Sequence, residues 1–340
     1  MTLRDQLLHA AKRAGEVLED TAAKRRILEE GYTRIDPVAI AERDGIPVMV
    51  RPLEKLLGAF LRQEGSPGIL VNSLRPIGMV HLTCAHELGH YFLGHGTKTD
   101  EDLNYGNSSA PDEQEANEFA YKLLMPRWLV AHMMKRKGWV LRDLGRADVV
   151  YQLSLRLGVS FTAMVWSLSR INLLSGEVAS QLGRVAPKSL KEAASPGGVL
   201  APQGGDVWVL DPRDQDFVIE PRATDRFVIE LPSHAGAGYI WTAAEAADAG
   251  FAIRPVLVDA NSLERPTEPV VAGNTGSMQY LIEISAAAAS SDEVHAVLLA
   301  ERQPWASGAP LGRFGLRTRY ETMGDGLSRG SRQRLVEGAA

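Results

Sequence analysis

A single cysteine, Cys84, stands in 340 residues, so no disulfide can close within the chain and its stability must come from packing. Aromatic residues make up only 6%, and no run of about 18 apolar residues occurs, so no segment reads as a membrane-spanning helix. Neither sign of charge dominates. The net charge of -5 gives no general attraction to nucleic acid or anionic membranes. The N-terminal MTLRDQLLHAAKRAGEVLEDTAAKRR mixes charges throughout and lacks the apolar core and cleavage site of a secretory signal. These absences predict a soluble, cytoplasmic protein with no membrane role. With 45% hydrophobic residues the chain can fill a large core, and its length exceeds what one core usually serves.

The hydrophobic period changes along the chain. From Leu3 to about Tyr32 apolar residues recur at helical spacing. In IDPVAIAERDGIPVMV, Asp36 suits an N-cap, Pro37 the first turn and Gly45 the end of a short helix before a strand at Ile46 to Val50. LLGAFLRQEGSPGILVN reads as a hairpin with strands near 57–62 and 68–72. A buried helix follows from about Ile77 to Leu93, then a polar loop, then an amphipathic helix in PDEQEANEFAYKLLMP. From Asp206 to about Tyr320, short apolar runs separated by Gly, Pro, Ser and Asn predict an all-β sandwich. The expected division is 1–140, a helical extension at 141–175, a linker at 176–205, a β-sandwich at 206–322 and a disordered tail at 323–340. The fold class is α+β.

Within TCAHELGHYFLGH, residues 83–95, His86 and His90 are four apart and share one face of a helix. Glu87 lies about 100° round that helix, where a carboxylate can reach a metal-activated water without being a ligand. The tetrad alone does not separate a metal site from a crowded core helix. Two imidazoles and a carboxylate on the inner face of an apolar helix are costly without partners, and a metal would relieve that cost. His95 falls about 140° from His90 on a continuing helix, so it is set aside as a ligand, and Cys84 reads as core packing. On the next amphipathic helix Glu118 faces solvent, while Glu115 lies at the edge of the apolar face. Glu113 is nearer the right face but sits in the frayed first turn. Glu115 is therefore the expected third ligand, with Glu113 as the alternative. Zinc is the default for such a set, and manganese or iron fits the same ligands.

GILVNSLRPIGMVHLTCAHELGHYFLGH followed by EQEANEFAYKLLMP resembles the ImmA/IrrE family of gluzincin metallopeptidases over about residues 30 to 135. The resemblance implies a zincin-like domain with a small sheet and an HExxH helix. It implies that His86, His90 and Glu115 hold zinc while Glu87 acts as general base. It further implies a cytoplasmic endopeptidase that cleaves a helix-turn-helix repressor and so switches on mobile-element or DNA-damage genes. In this reading the strand ending at Asn72 offers an edge for substrate, and Tyr91 is a further substrate contact.

YQLSLRLGVSFTAMVWSLSR, residues 151–170, has helix-turn-helix spacing, but Arg170 is the only charge on its second helix, so direct DNA binding is not expected. Further on, ELPSHAGAGYIW, VVAGNTGSMQY and ERQPW resemble the three binding loops of chagasin-like cysteine-protease inhibitors, an immunoglobulin-like sandwich family. His234, Gly238, Gly273, Arg302 and Trp305 are the candidate partner contacts, with His234 expected to be exposed. Where that family has Asn-Pro-Thr-Thr, this chain has His234-Ala235-Gly236-Ala237. The missing threonines favour protein recognition or self-regulation over protease inhibition. The rival to a peptidase is a regulatory inhibitor or binding protein whose metal site is structural.

Overall fold

Asp36 accepts hydrogen bonds from the Val38 and Ala39 amides, and so starts a short helix at Pro37. Gly45, at φ +78°, ends the turn that leads into the first strand, a conformation glycine adopts at no steric cost. The structure, a computed structural model, describes residues 2–63, 66–96, 98–100, 110–195, 204–242, 251–256, 276–284, 293–321 and 324–338. It combines helices and sheets in two compact units. The first unit comprises residues 1–133, 153–179 and 323–340, and the second 134–152 and 180–322.

The first unit opens with α1 (Leu3–Asp20), α2 (Ala23–Leu28) and α3 (Pro37–Arg43). Its sheet is built from β1 (Val48–Arg51), the hairpin of β2 (Gly58–Gln63) and β3 (Ser66–Asn72), and β4 (Lys98–Asp100). β1 runs parallel to β3, and β2 lies antiparallel to both β3 and β4. Helix α4 (Ile77–Phe92) packs on β2 and β3, and α5 (Pro111–Leu124) packs on α4 and α1. The all-round apolar character of α4 explains its place, since Cys84, Ala85 and Leu88 are fully buried.

A last strand, β13 (Gly326–Leu327), pairs antiparallel with β1, and the terminal helix α11 (Arg329–Gly338) packs on α3. Thus, within the tail expected to be disordered, Gly326–Leu327 join the first unit's sheet and Arg329–Gly338 form a helix. Glu42 holds it by accepting from the Ser328 hydroxyl and the Ser331 amide, while Val48 N–H donates to Ser331 Oγ at 3.1 Å. Short polar side chains with defined backbone partners made this order, and hydrophobic periodicity does not register such contacts.

Between these parts run α6 (Arg127–Lys137), α7 (Ala147–Leu157), α8 (Phe161–Arg170), α9 (Gly176–Leu182) and α10 (Pro187–Ala193). The expected linker at 176–205 therefore contains two short helices. α7 and α8 meet at 99° across a turn holding Gly158 at φ +66°. No single helix among the described residues is long and apolar enough to cross a membrane.

Among the described residues, the second unit holds two four-stranded sheets. β5 (Val207–Leu210), β7 (Arg226–Ser233), β10 (Gly276–Ile284) and β9 (Phe251–Pro255) form one, in that order. β6 (Val218–Ile219), β12 (Gly312–Thr318), β11 (His295–Arg302) and β8 (Ile240–Thr242) form the other. Alternation places Val297 and Leu299 of β11 inside and Leu298 outside, as period-two patterning requires. The pairs β5 with β7 and β6 with β12 are parallel, and the other pairs of these sheets are antiparallel. The start of α7 is stitched to β5: Gln152 bonds Val207 O and Val209 N, and Tyr151 OH donates to Asp206. These bonds tie residues 151 and 152 to the second unit, which takes in residues 134–152.

Candidate metal centre

His86, Glu87 and His90 are completely buried on α4. Burying three ionisable side chains in one helix face costs several kcal/mol unless partners meet them, and α5 brings those partners. Two contacts set the approach of the helices. Gly89 lies against Ala116, where a Cβ on Gly89 would come within 2.9 Å of Ala116 Cα, and Phe92 stacks on Phe119 with centroids 5.7 Å apart. Only the missing side chain at Gly89 permits so close an approach.

That crossing places Glu113 over the histidine pair. Its Oε2 lies 3.2 Å from His86 Nε2 and its Oε1 3.5 Å from His90 Nε2. The two Nε2 atoms are 3.1 Å apart, and one ligand atom from each of His86, His90 and Glu113 falls within 4.8 Å of the others. The close approach of the His86 and then the His90 ring holds the Glu113 carboxyl far below its ordinary range, against the burial that opposes ionisation. Burial pushes the His90 imidazole down, so it favours the neutral ring. Two imidazole nitrogens and a carboxylate, converging in a buried space, form a donor set of the kind that binds a divalent transition metal. The residues present therefore fit such an ion.

Glu115, the expected third ligand, points elsewhere: its Oε2 is 3.0 Å from His95 Nε2. His95 Nδ1 in turn lies 2.9 Å from His90 Nδ1. His86 Nδ1 faces Asn117 Oδ1 at 3.1 Å, a contact not anticipated from the sequence although Asn117 sits one helical turn after Glu113.

Glu87 stands under β2. A Cβ at Gly58 would lie 3.0 Å from Glu87 Oε1 and collide with the Thr83 methyl, so that glycine lets the strand pass directly over the carboxylate. Asn72, expected to contact substrate, is buried and occupied as a clamp. Its Oδ1 accepts from the Leu53 and Leu74 amides, and its Nδ2 donates to Leu53 O and Leu56 O. With both donors and two acceptor positions used internally, the side chain belongs to the loop it closes. Tyr91 packs edge-on against Phe60 and Phe92, at 6.2 and 5.0 Å. Cys84 is buried and its thiol pushed up by burial, as core packing predicts. Glu118 is partly exposed and faces Lys122 at 3.4 Å.

On α8, Thr162, Trp166 and Arg170 are the exposed positions, and the Arg170 guanidinium stacks 4.1 Å over the Tyr121 ring. In the second unit, the 234–238 and 301–305 loops are brought together. Trp305, 72% exposed, covers Gly238, and Gln303 Nε2 donates to Ala237 O. His234, expected to be exposed, is half-buried with Nδ1 2.8 Å from buried Glu301 Oε2. Arg302 is exposed at the end of β11, and Gly273 lies outside the described residues.

Residues 41–169 match the family model described as the IrrE N-terminal-like domain, Peptidase_M78. Among solved structures, the chain is similar to the crystal structure of the cysteine protease inhibitor EhICP2 from Entamoeba histolytica. The two are 14% identical with a TM-score of 0.26, over 34% of this chain and 97% of that one. It is similar to the solution structure of Amebosin at 19% identity and a TM-score of 0.24, over 33% of this chain and 96% of that one. No curated protein matches the chain.

Proposed function

We propose, from the match of residues 41–169 to the IrrE N-terminal-like Peptidase_M78 model, that this chain is a zinc-dependent endopeptidase. The observation that carries the reading is the convergence of His86, His90 and Glu113 beside a buried Glu87. Those three residues would hold the ion, and manganese suits the same ligands. Bound there, zinc supplies Lewis acidity to the attacking water and the scissile carbonyl. Glu87 accepts the proton from that water and delivers it to the leaving amine, the role its position next to His86 allows. Asn117 fixes the His86 ring by accepting from Nδ1–H, so that Nε2 keeps its lone pair toward Glu113.

The substrate in this proposal is a cytoplasmic protein, in particular a helix-turn-helix repressor whose cleavage relieves repression of stress or mobile-element genes. The family resemblance of the HELGH and EANEFAYKLLMP runs supports it. The second unit we read as an immunoglobulin-like, chagasin-like recognition module, supported by the joined 234–238 and 301–305 loops and the exposed Trp305. The helix pair α7 and α8 serves packing in this reading, since one arginine gives little grip on phosphates.

Substituting Glu87→Gln tests the reading. Zinc content should persist, because no ligand is lost, while cleavage of a co-encoded helix-turn-helix repressor should cease. Persistence of cleavage or of derepression with Glu87→Gln would favour the rival, a binding protein with a structural metal.

A further inference from the structure

We propose that Glu115 and His95 are positioning residues which lock His90 in the one tautomer able to bind metal. The proposal rests on the metal-centre reading above. The carboxylate of Glu115 can only accept, so the proton in its 3.0 Å contact belongs to His95 Nε2. The His95 tautomer that donates from Nε2 presents a bare Nδ1. The 2.9 Å contact between His95 Nδ1 and His90 Nδ1 needs one proton, and it must come from His90. His90 is left with Nε2 unprotonated, and Nε2 is the atom that faces Glu113 and His86.

The chain of contacts thus runs from Glu115 through His95 to His90, one imidazole longer than the carboxylate–histidine pairs that commonly orient metal ligands. The side chains of His95 and Glu115 are each only 9% exposed, so water does not compete freely for these bonds. His95 can act here because α4 ends before it: the amide of His95 donates to His90 O at 2.9 Å after Gly94 turns at φ +75°. That turn swings the side chain back to His90, where a continuing helix would carry it away.

Zinc affinity of the full chain, read by competition with a chromogenic chelator, tests the assignment. Glu115→Ala and His95→Phe should weaken binding about 10- to 100-fold. Glu115→Gln, whose carbonyl still accepts from His95 Nε2, should lose little, and Glu113→Gln should lose more than any of these. Equal losses in Glu115→Gln and Glu113→Gln would make Glu115 a ligand and overturn the proposal. Unchanged affinity in Glu115→Ala and His95→Phe would overturn it as well. If Glu115→Ala does not fold by circular dichroism, His95→Phe carries the test. Two-bond proton–nitrogen spectra of the zinc-free chain should show His90 as the Nδ1–H tautomer, becoming a mixture in His95→Phe. A chain that binds no zinc refutes the metal-centre reading, and these spectra then decide the positioning role separately.

Discussion

Replacing Gly89 by alanine sets two effects against each other. Alanine in a helix interior gains about 1 kcal/mol over glycine from propensity alone. At Gly89, however, the new Cβ would lie 2.9 Å from Ala116 Cα, 3.0 Å from Ala116 O and 3.3 Å from Ala116 Cβ. Two of these are backbone atoms of α5, which cannot rotate away, so α4 and α5 must separate. Overpacking of this kind costs about 1–3 kcal/mol, enough to cancel or exceed the gain. Gly15, inside α1 with nothing within 4 Å of an added Cβ, is the internal control. Gly15→Ala should stabilise by about 0.5–1 kcal/mol, and Gly89→Ala should fall about 2 kcal/mol below it in urea unfolding with chelator present. Gly89→Ala should also weaken zinc binding, because α5 carries Glu113. If it stabilises as much as Gly15→Ala and leaves zinc affinity unchanged, the account of the helix contact is wrong.

Three further outcomes follow from the same structure. Burial pushes the Asp36 carboxyl up, but the Arg34 and Arg26 guanidiniums more than offset it and hold it at about 2, below the ordinary 3.8. Its stabilisation is therefore complete above about pH 4 and is lost as pH falls through about 2, a loss of about 2 kcal/mol. Asp36→Asn, which keeps the N-cap acceptor, should remove that part of the acid sensitivity in pH-dependent urea unfolding, and an unaltered profile would refute the assignment. Truncation before Gly326 removes the β13 pairing and the Ser328 and Ser331 bonds to Glu42 and Val48; at about 1 kcal/mol per hydrogen bond it should destabilise the first unit by several kcal/mol, whereas a merely disordered tail would leave unfolding unchanged. Stripping metal with a chelator should lower thermal stability, by about 2.7 kcal/mol if the free ion had stood at 100 times its dissociation constant, and an unshifted melt would count against the centre.

Much of the first unit was legible because its signals are local. Asp36-Pro37 with Gly45 marks the two ends of a short helix, the hairpin strands and the two longer helices carry their own hydrophobic periods, and all appear within a few residues of the expected positions. The strand-rich second unit was legible for the same reason. What escaped depends on partners distant in sequence. Order in the C-terminal segment comes from Glu42 and Val48, almost 300 residues earlier, and no pattern within GLSRGSRQRLVEGAA points to them. Asn72 looked available because it ended a strand, yet the loop at Leu53 to Leu56 folds over it and takes up its amide.

The choice between Glu113 and Glu115 shows where periodicity stops deciding. Ala116, Phe119, Ala120, Leu123 and Leu124 are all completely buried, a stripe wide enough that Glu113 and Glu115 both border it. Helical spacing therefore supplies two carboxylates and no means of ranking them. The ranking comes from one glycine. Gly89 admits Ala116, and Glu113, three residues before Ala116, is carried onto the histidine pair while Glu115 is carried past it to His95. First-turn fraying was a poor reason to set Glu113 aside, because Pro111 at the helix start and the contacts to His86 and His90 hold that turn in place. A glycine inside a helix next to a metal motif therefore carries positional information: it marks where the partner helix comes closest, and the ligand should be sought one turn from that point.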